Sequence, residues 1–261
     1  MNHATNLFRL NGKVALVTGG AGIVGRPIVR ALAEAGATVV VASRDKEQCQ
    51  AFADELATEG LNVEGEAVDL ASQSTIRRLC DHILKHYSRL DVLVNNAVAR
   101  AGGNLDDMTV EQWEATMKVN STGLFLACKI FAEPMRTQRA GSIVNIASIY
   151  GVVGPHFHIY ESTSLTMPVN YAFAKGGIIS VTRYLASFLA PYNIRVNCLS
   201  PGGFATEETT QDFETRYSKH TLLGRMAQED DIKGPVLFLA SDASRYITGQ
   251  NIPVDGGWTA I

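Results

Sequence analysis

Several things are missing from this chain of 261 residues, and each absence removes a class of function. Its four cysteines, Cys49, Cys80, Cys128 and Cys198, stand far apart, with no Cys-x-x-Cys pair. That spacing argues against a zinc site and a disulfide framework, and no metal is expected; it suits a reducing, cytoplasmic setting. There is no excess of positive charge: the formal net charge is -3, which gives no reason to expect nucleic acid or an anionic membrane as partner. No segment approaches the apolar length of a membrane span, and Met1 to Lys13 holds no apolar run, so neither a membrane helix nor a signal peptide is expected. No internal repeat, low-complexity tract or linker interrupts the chain. Charged residues make up only 19% against 46% hydrophobic, a balance that predicts a packed core rather than disorder.

What is present alternates. Short β-branched runs are expected as strands at Val14–Val17, Thr38–Ala42, Val63–Val68, Val92–Val94, Ser142–Ile146, Ile194–Leu199 and Asn251–Val254. Between them lie helical stretches: from the first glycine-rich turn to about Glu34, then Lys46–Thr58, Ser72–Tyr87, a long helix Val110–Met135, one through Tyr171 to about Ala190, and Asp230–Ser241. Strands alternating with helices imply one α/β domain spanning 1–261, a doubly wound, seven-stranded parallel sheet covered on both faces.

Chemistry concentrates between Ser148 and Lys175. Tyr171 and Lys175, four apart on a helix, share one face. An ammonium beside a phenol favours the phenolate, and a phenol tuned toward neutral pH can exchange a proton with a ketone or alcohol. The Ser148 hydroxyl, from another element, could hold the same oxygen. Far upstream, Gly19-Gly20-Ala21-Gly22-Ile23-Val24-Gly25 follows a strand and opens a helix. Gly20, Gly22 and Gly25 fit Gly-x-Gly-x-x-Gly, a turn that lets backbone approach a pyrophosphate at a helix N-terminus. After the second strand comes Ser43-Arg44-Asp45: serine holds the position where an acidic residue would bond a ribose, and Arg44 suits a 2′-phosphate. NADP is therefore expected, with NAD left open by Asp45.

Together these landmarks resemble the short-chain dehydrogenase/reductase family over nearly the whole chain. The ordered set is Thr18-Gly19, Asp69, Asn95-Asn96-Ala97, Asn120, Ser148, Tyr171, Lys175, Pro201-Gly202 with Thr206, and Asp255-Gly256-Gly257. The resemblance implies a Rossmann fold and a homotetramer in which two long helices pair between subunits. It implies Tyr171 as acid/base, Lys175 on the nicotinamide ribose, Ser148 orienting the substrate oxygen and Asn120 ordering a water of a proton relay. Gly19, Gly22, Ile23 and Gly25 would face the pyrophosphate; Asp69 and Leu70 would flank the adenine, Asn96 and Ala97 the adjoining ribose. Pro201, Gly202, Phe204 and Thr206 would meet the carboxamide and phosphates. The chain departs from the family's pattern in three places. Ile23 replaces the middle glycine of the turn, Val98 replaces the glycine after Asn-Asn-Ala, and an insertion separates Ser148 from Tyr171.

That insertion, 155–168, carries His156, His158, Tyr160, Glu161 and several hydroxyls. With Arg100 it suits a polyhydroxylated or carboxylated substrate better than a fatty-acyl chain. Substrate loops are accordingly expected at 98–108, 151–169 and 202–224, with Arg100, Ser148, His156, His158 and Tyr160 as contacts; a surface elaboration or subunit contact is the alternative for the insertion. The expected activity is hydride transfer between NAD(P) and a secondary alcohol or ketone of a sugar, sugar acid or hydroxy acid. The alternatives are reduction of a 3-oxoacyl thioester and, outside catalysis, nucleotide sensing. His82 and His86, four apart with Asp81 and Lys85 interleaved, are expected on a solvated face, Trp113 and Trp258 in packing or an interface, and Cys128 in the core.

Overall fold

The computed structural model describes residues 3–161, 163 and 166–261. Its seven strands are β1 (Val14–Thr18), β2 (Thr38–Ser43), β3 (Val63–Ala67), β4 (Val92–Asn95), β5 (Gly141–Ile146), β6 (Ile194–Pro201) and β7 (Asn251–Val254). They form one sheet in the order β3-β2-β1-β4-β5-β6-β7, every pairing parallel. β1 and β4 are buried along their whole length because helices cover both faces, which is why their sequences run apolar without alternating. On one face pack α1 (Gly25–Glu34), α2 (Lys46–Ala57) and α8 (Glu229–Ala240); on the other α3 (Gln73–Tyr87), α5 (Leu124–Gln138) and α6 (Val169–Leu189).

The chain winds from β1 outward to β3, then returns to β4 and winds the other way. β1 and β4 are thus neighbours, with Thr18 opposite Asn95 at their carboxyl ends. A sheet of this kind opens a crevice at that switch point, where ligands bind. The loops that carry the expected site residues all leave the sheet on this side.

The long helix expected over Val110–Met135 is divided. α4 (Val110–Met117) begins on a capping box between Thr109 and Gln112, a π turn follows over Lys118–Gly123, and α5 continues to Gln138. The wider turn accommodates two contacts. The Asn120 side chain pairs with the Ala99 backbone, and at Gly123 an added Cβ would stand 2.7 Å from the Leu70 carbonyl. Single extra-residue turns of this kind recur at functional sites. The short helical passage after β6 is α7 (Gln211–Ser218), capped by Thr210, and the insertion contains a 3₁₀ turn at Phe157–Tyr160.

His86 is exposed, as expected of a solvated face, and His82 on the same face is partly exposed and paired. β3 is the edge strand and carries Glu64, which faces α3; His82 Nε2 lies 2.8 Å from its carboxylate, and the His86 ring stacks on His82. A strand at the sheet edge can present carboxylates to a neighbouring helix without burying them. Cys128 is buried in the core as expected, and Trp258 is buried while Trp113 packs against Phe173.

Candidate active site

A third cluster sits beyond the strand ends, built from Ile149, Tyr150, Ile159, Tyr171, Phe213, Tyr217, Met226 and Trp258. It joins the turn after β5, the insertion, the start of α6, α7 and the C-terminus around one phenol. α6 starts at Val169 because Pro168 precedes it with an extended backbone. Its first turns carry Tyr171 and Lys175, which are only 6% and 4% exposed. The turn after β5 presses against the same helix: an added Cβ at Gly151 would come 2.6 Å from the Lys175 carbonyl oxygen. Only glycine lets Ser148, three residues earlier, reach the first turn of α6.

Lys175 Nζ donates to the Ile146 carbonyl at 2.7 Å, which fixes the ammonium at the end of β5. It lies 5.5 Å from the centre of the Tyr171 ring. On the other side the Arg100 guanidinium carbon stands 5.0 Å from that ring centre. Burial by itself would raise the Tyr171 pKa; the charges of Lys175 and Arg100 and hydrogen bonds from Ser148 and Arg100 outweigh it, and the phenol lies below its ordinary value. Lys175 is itself depressed, chiefly by its burial. The arrangement can move a proton to or from a ligand oxygen and steady negative charge on it.

The Asn120 side chain is tied to the loop after β4. Its amide makes two bonds there, Oδ1 accepting from Ala99 N at 2.8 Å and Nδ2 donating to Ala99 O at 2.9 Å. The neighbouring anchor was not anticipated: Asn170, fully buried, donates to Ala101 O and Thr116 Oγ1, both at 3.0 Å, and ties the start of α6 to the loop after β4. Its place beside Tyr171 is its only sequence signal. Tyr150 was missed as well.

The glycine-rich turn has the shape a dinucleotide needs. Gly19 adopts φ +64°, and an added Cβ there would stand 2.7 Å from Ala97 Cα. Asn96 Nδ2 holds the Gly19 carbonyl at 2.8 Å, and Thr18 Oγ1 accepts from the backbone N–H of Asn96 and of Ala97. An added Cβ at Gly25 would run into the Gly19 carbonyl, whereas Gly22 is nearly unencumbered. No side chain caps α1, so its N-terminus is open to an anion on the Gly25 side, while Arg26 N donates to Gly22 O at 2.9 Å; Ile23 is exposed beside this end.

After β2, Ser43 Oγ bonds within its own turn and Asp45 is the N-cap of α2, accepting from Gln48 N at 2.9 Å. Arg44 is exposed and has no ion pair among the described residues. Asp69 Oδ1 accepts from Ala71 N, with Leu70 buried beside it. Across the crevice, Pro201 ends β6, Gly202 N donates to Val254 O, Phe204 bridges to Ala227, and Thr206 N donates to Thr209 Oγ1. Val98 is exposed at the crevice edge.

Of the expected substrate contacts, Arg100 and Tyr160 approach Tyr171. Tyr160 bonds the Tyr150 hydroxyl at 2.8 Å and feels the charges of Arg100 and Tyr171. His156 and His158 are exposed, and their ring partners are each other, His220 and Trp258. Ser162, Ser164 and Leu165 of the insertion lie outside the described residues.

Comparison with known proteins agrees with this geometry. A family model described as enoyl-(acyl carrier protein) reductase matches residues 19–259. The 3-oxoacyl-acyl-carrier-protein reductase of Aquifex aeolicus is 36% identical over 254 residues, covering 96% of this chain and 98% of that one. A cyclopentanol dehydrogenase of Comamonas sp. is 36% identical over 258 residues, covering 97% and 99%. Among solved structures, a gluconate 5-dehydrogenase from Burkholderia cenocepacia J2315 in complex with NADP and tartrate superposes with a TM-score of 0.89 at 32% identity, covering 99% of this chain and all of that one. With the switch-point glycine turn, the buried Tyr171–Lys175 pair and these relatives together, the chain belongs to the short-chain dehydrogenase/reductase family, enzymes that use a nicotinamide cofactor to act on CH–OH groups.

Proposed function

We propose that this enzyme oxidises a secondary alcohol, or reduces the matching ketone, on a small polar substrate bearing a carboxylate: a sugar acid or related hydroxy acid, with uncharged sugars as the neighbouring class. The observation that carries this is Arg100. Its guanidinium stands over the Tyr171 ring and has no ion pair among the described residues, so a cation is left facing the reacting oxygen. A carboxylate two or three bonds from the carbinol would complete it with a bidentate pair. The tartrate complex of the Burkholderia relative supports the same class.

In the oxidation direction the Tyr171 phenolate takes the hydroxyl proton while the carbinol hydrogen leaves as hydride. Ser148 donates to the same oxygen and holds it in line. Lys175 favours the phenolate and offers its remaining N–H groups to the cofactor ribose; the proton passes on through the opened turn at Asn120. The nicotinamide, when bound, supplies the hydride acceptor or donor. Its pyrophosphate would lie on Gly19, Gly22, Ile23 and Gly25, its adenosine against Asp69, Leu70, Asn96 and Ala97, and its carboxamide side against Pro201, Gly202, Phe204 and Thr206. NADP is favoured over NAD because Asp45 is engaged as a helix cap while Arg44 is free. A tetramer built on α5 and α6 is supported by Phe125, Tyr184 and Phe188, which those helices leave exposed.

Likeness to the Aquifex reductase supports a second reading, reduction of a 3-oxoacyl thioester. A panel of hydroxy acids, polyols and acyl thioesters, assayed with wild type and Arg100→Ala, separates the two. The proposal expects Arg100→Ala to raise KM for the carboxylate substrate by about 10–150-fold, the loss of one charge-assisted contact of about 1.5–3 kcal/mol. Turnover of acyl thioesters by the wild type, with no activity on any hydroxy acid, would overturn it.

A further inference from the structure

Three imidazoles converge on the outer face of the substrate-side wall. His156 and His158 come from the insertion, and His220 follows α7, 62 residues beyond His158 in the sequence. His158 Nε2 and His220 Nε2 are 2.9 Å apart. The His156 ring stacks on His220 with centroids 4.8 Å apart, and one ring nitrogen from each of the three lies within 4.8 Å of the other two. We propose that His156, His158 and His220 form a site for one divalent transition-metal ion of the zinc class, which staples the insertion to the end of α7.

Three neutral imidazole nitrogens suit zinc, nickel, cobalt or copper; calcium and magnesium would ask for oxygen ligands. Zinc–nitrogen bonds of 2.0–2.1 Å in a tetrahedron place neighbouring nitrogens about 3.3 Å apart, so the 2.9 Å pair needs only a small opening to admit the ion. A fourth position faces solvent, since His156 and His158 are exposed. The rings do not hang free. Trp258 packs against His156 and His220 with centroids 5.5 and 5.2 Å away. Arg216, paired with Asp212, donates to the carbonyls of His158 at 3.4 Å and Glu161 at 2.5 Å. Ligand orientation is thus largely set before the ion arrives, which lowers the entropy cost of binding.

Such an ion would add a tie between two segments that already meet through Ile159 and Tyr160 packed with Phe213 and Tyr217 and through the Arg216 contacts. That both segments wall the substrate side rests on the proposed function; the metal site itself does not.

The test uses the untagged, chelator-treated full chain, titrated with zinc sulfate in a calorimeter and followed by hydrogen exchange. One zinc per chain is expected, with slower exchange in residues 156–161. His220→Ala, and separately His158→Ala, should weaken zinc by more than about 100-fold, beyond the 10–100-fold typical of losing an outer-sphere partner. His86→Ala, which touches the other histidine cluster, should bind as wild type does. NADP binding by the variants checks that they are folded. Absence of stoichiometric zinc binding, binding indifferent to His220→Ala, or binding that leaves exchange at 156–161 unchanged would each overturn the proposal. No readout here depends on turnover, so failure of the hydroxy-acid assignment leaves the outcome interpretable.

Discussion

Replacing Lys175 by methionine removes the ammonium nearest the phenol while keeping most of the side chain's length. At 5.5 Å from the Tyr171 ring, a unit charge acts on the phenolate with about 3 kcal/mol at an effective dielectric constant of about 20. That corresponds to roughly two pKa units. The sign follows from which form the cation favours. Lys175 stabilises the charged phenolate, so its loss must raise the Tyr171 pKa. The pH profile of kcat/KM for alcohol oxidation, which rises as Tyr171 loses its proton, should therefore move about two units toward higher pH. On the acid limb, below both midpoints, the rate should fall by about 100-fold from the lost phenolate fraction alone. Arg100→Ala should move the profile the same way but less, because that guanidinium is exposed and screened by salt. Losing Nζ also leaves the buried Ile146 carbonyl without its donor, at a cost of about 1–3 kcal/mol of stability, partly offset because a buried charge is gone. Cofactor affinity, measured separately by fluorescence titration, reports any loss of the ribose contact. A Lys175→Met profile with an unmoved midpoint would refute the electrostatic account of Tyr171.

Tyr171→Phe should cut turnover by about 10²–10⁴-fold or more, while thermal stabilisation by NADP persists; near-normal turnover would unseat Tyr171 as the acid/base. Arg44→Ala should weaken NADP by about 1.5–3 kcal/mol and leave NAD nearly unchanged, and Ser43→Asp should shift preference further toward NAD. Dissociation constants for both cofactors decide this, and a silent Arg44→Ala in an NAD-preferring enzyme would reverse the assignment. Gly151→Ala forces apart the Ser148 turn and α6, where the added methyl meets Lys175 O at 2.6 Å. It should cost about 1–3 kcal/mol in denaturant melts and lower kcat more than it changes cofactor binding.

The fold was written in local signals: β-branched runs, a glycine turn between strand and helix, and a tyrosine and lysine one helical turn apart are short-range patterns. Each follows from backbone sterics or helix geometry within a few residues. The strands therefore fall within a residue or two of expectation, and Ser148, Tyr171 and Lys175 converge. Three things needed the tertiary structure, because they depend on which distant segments meet. Asn120 turned from a plain helical residue into the centre of a π turn only because the loop after β4 brings Ala99 within its reach. His82 gained an acidic partner because β3, at the sheet edge, sets Glu64 against α3. His156 and His158 look in sequence like groups aimed at a substrate. Their rings meet His220 and Trp258 because α7 and the C-terminus fold against the insertion from far along the chain. Sequence spacing fixes contacts within one element; contacts between elements are set by how the sheet and its loops close, which no local pattern records.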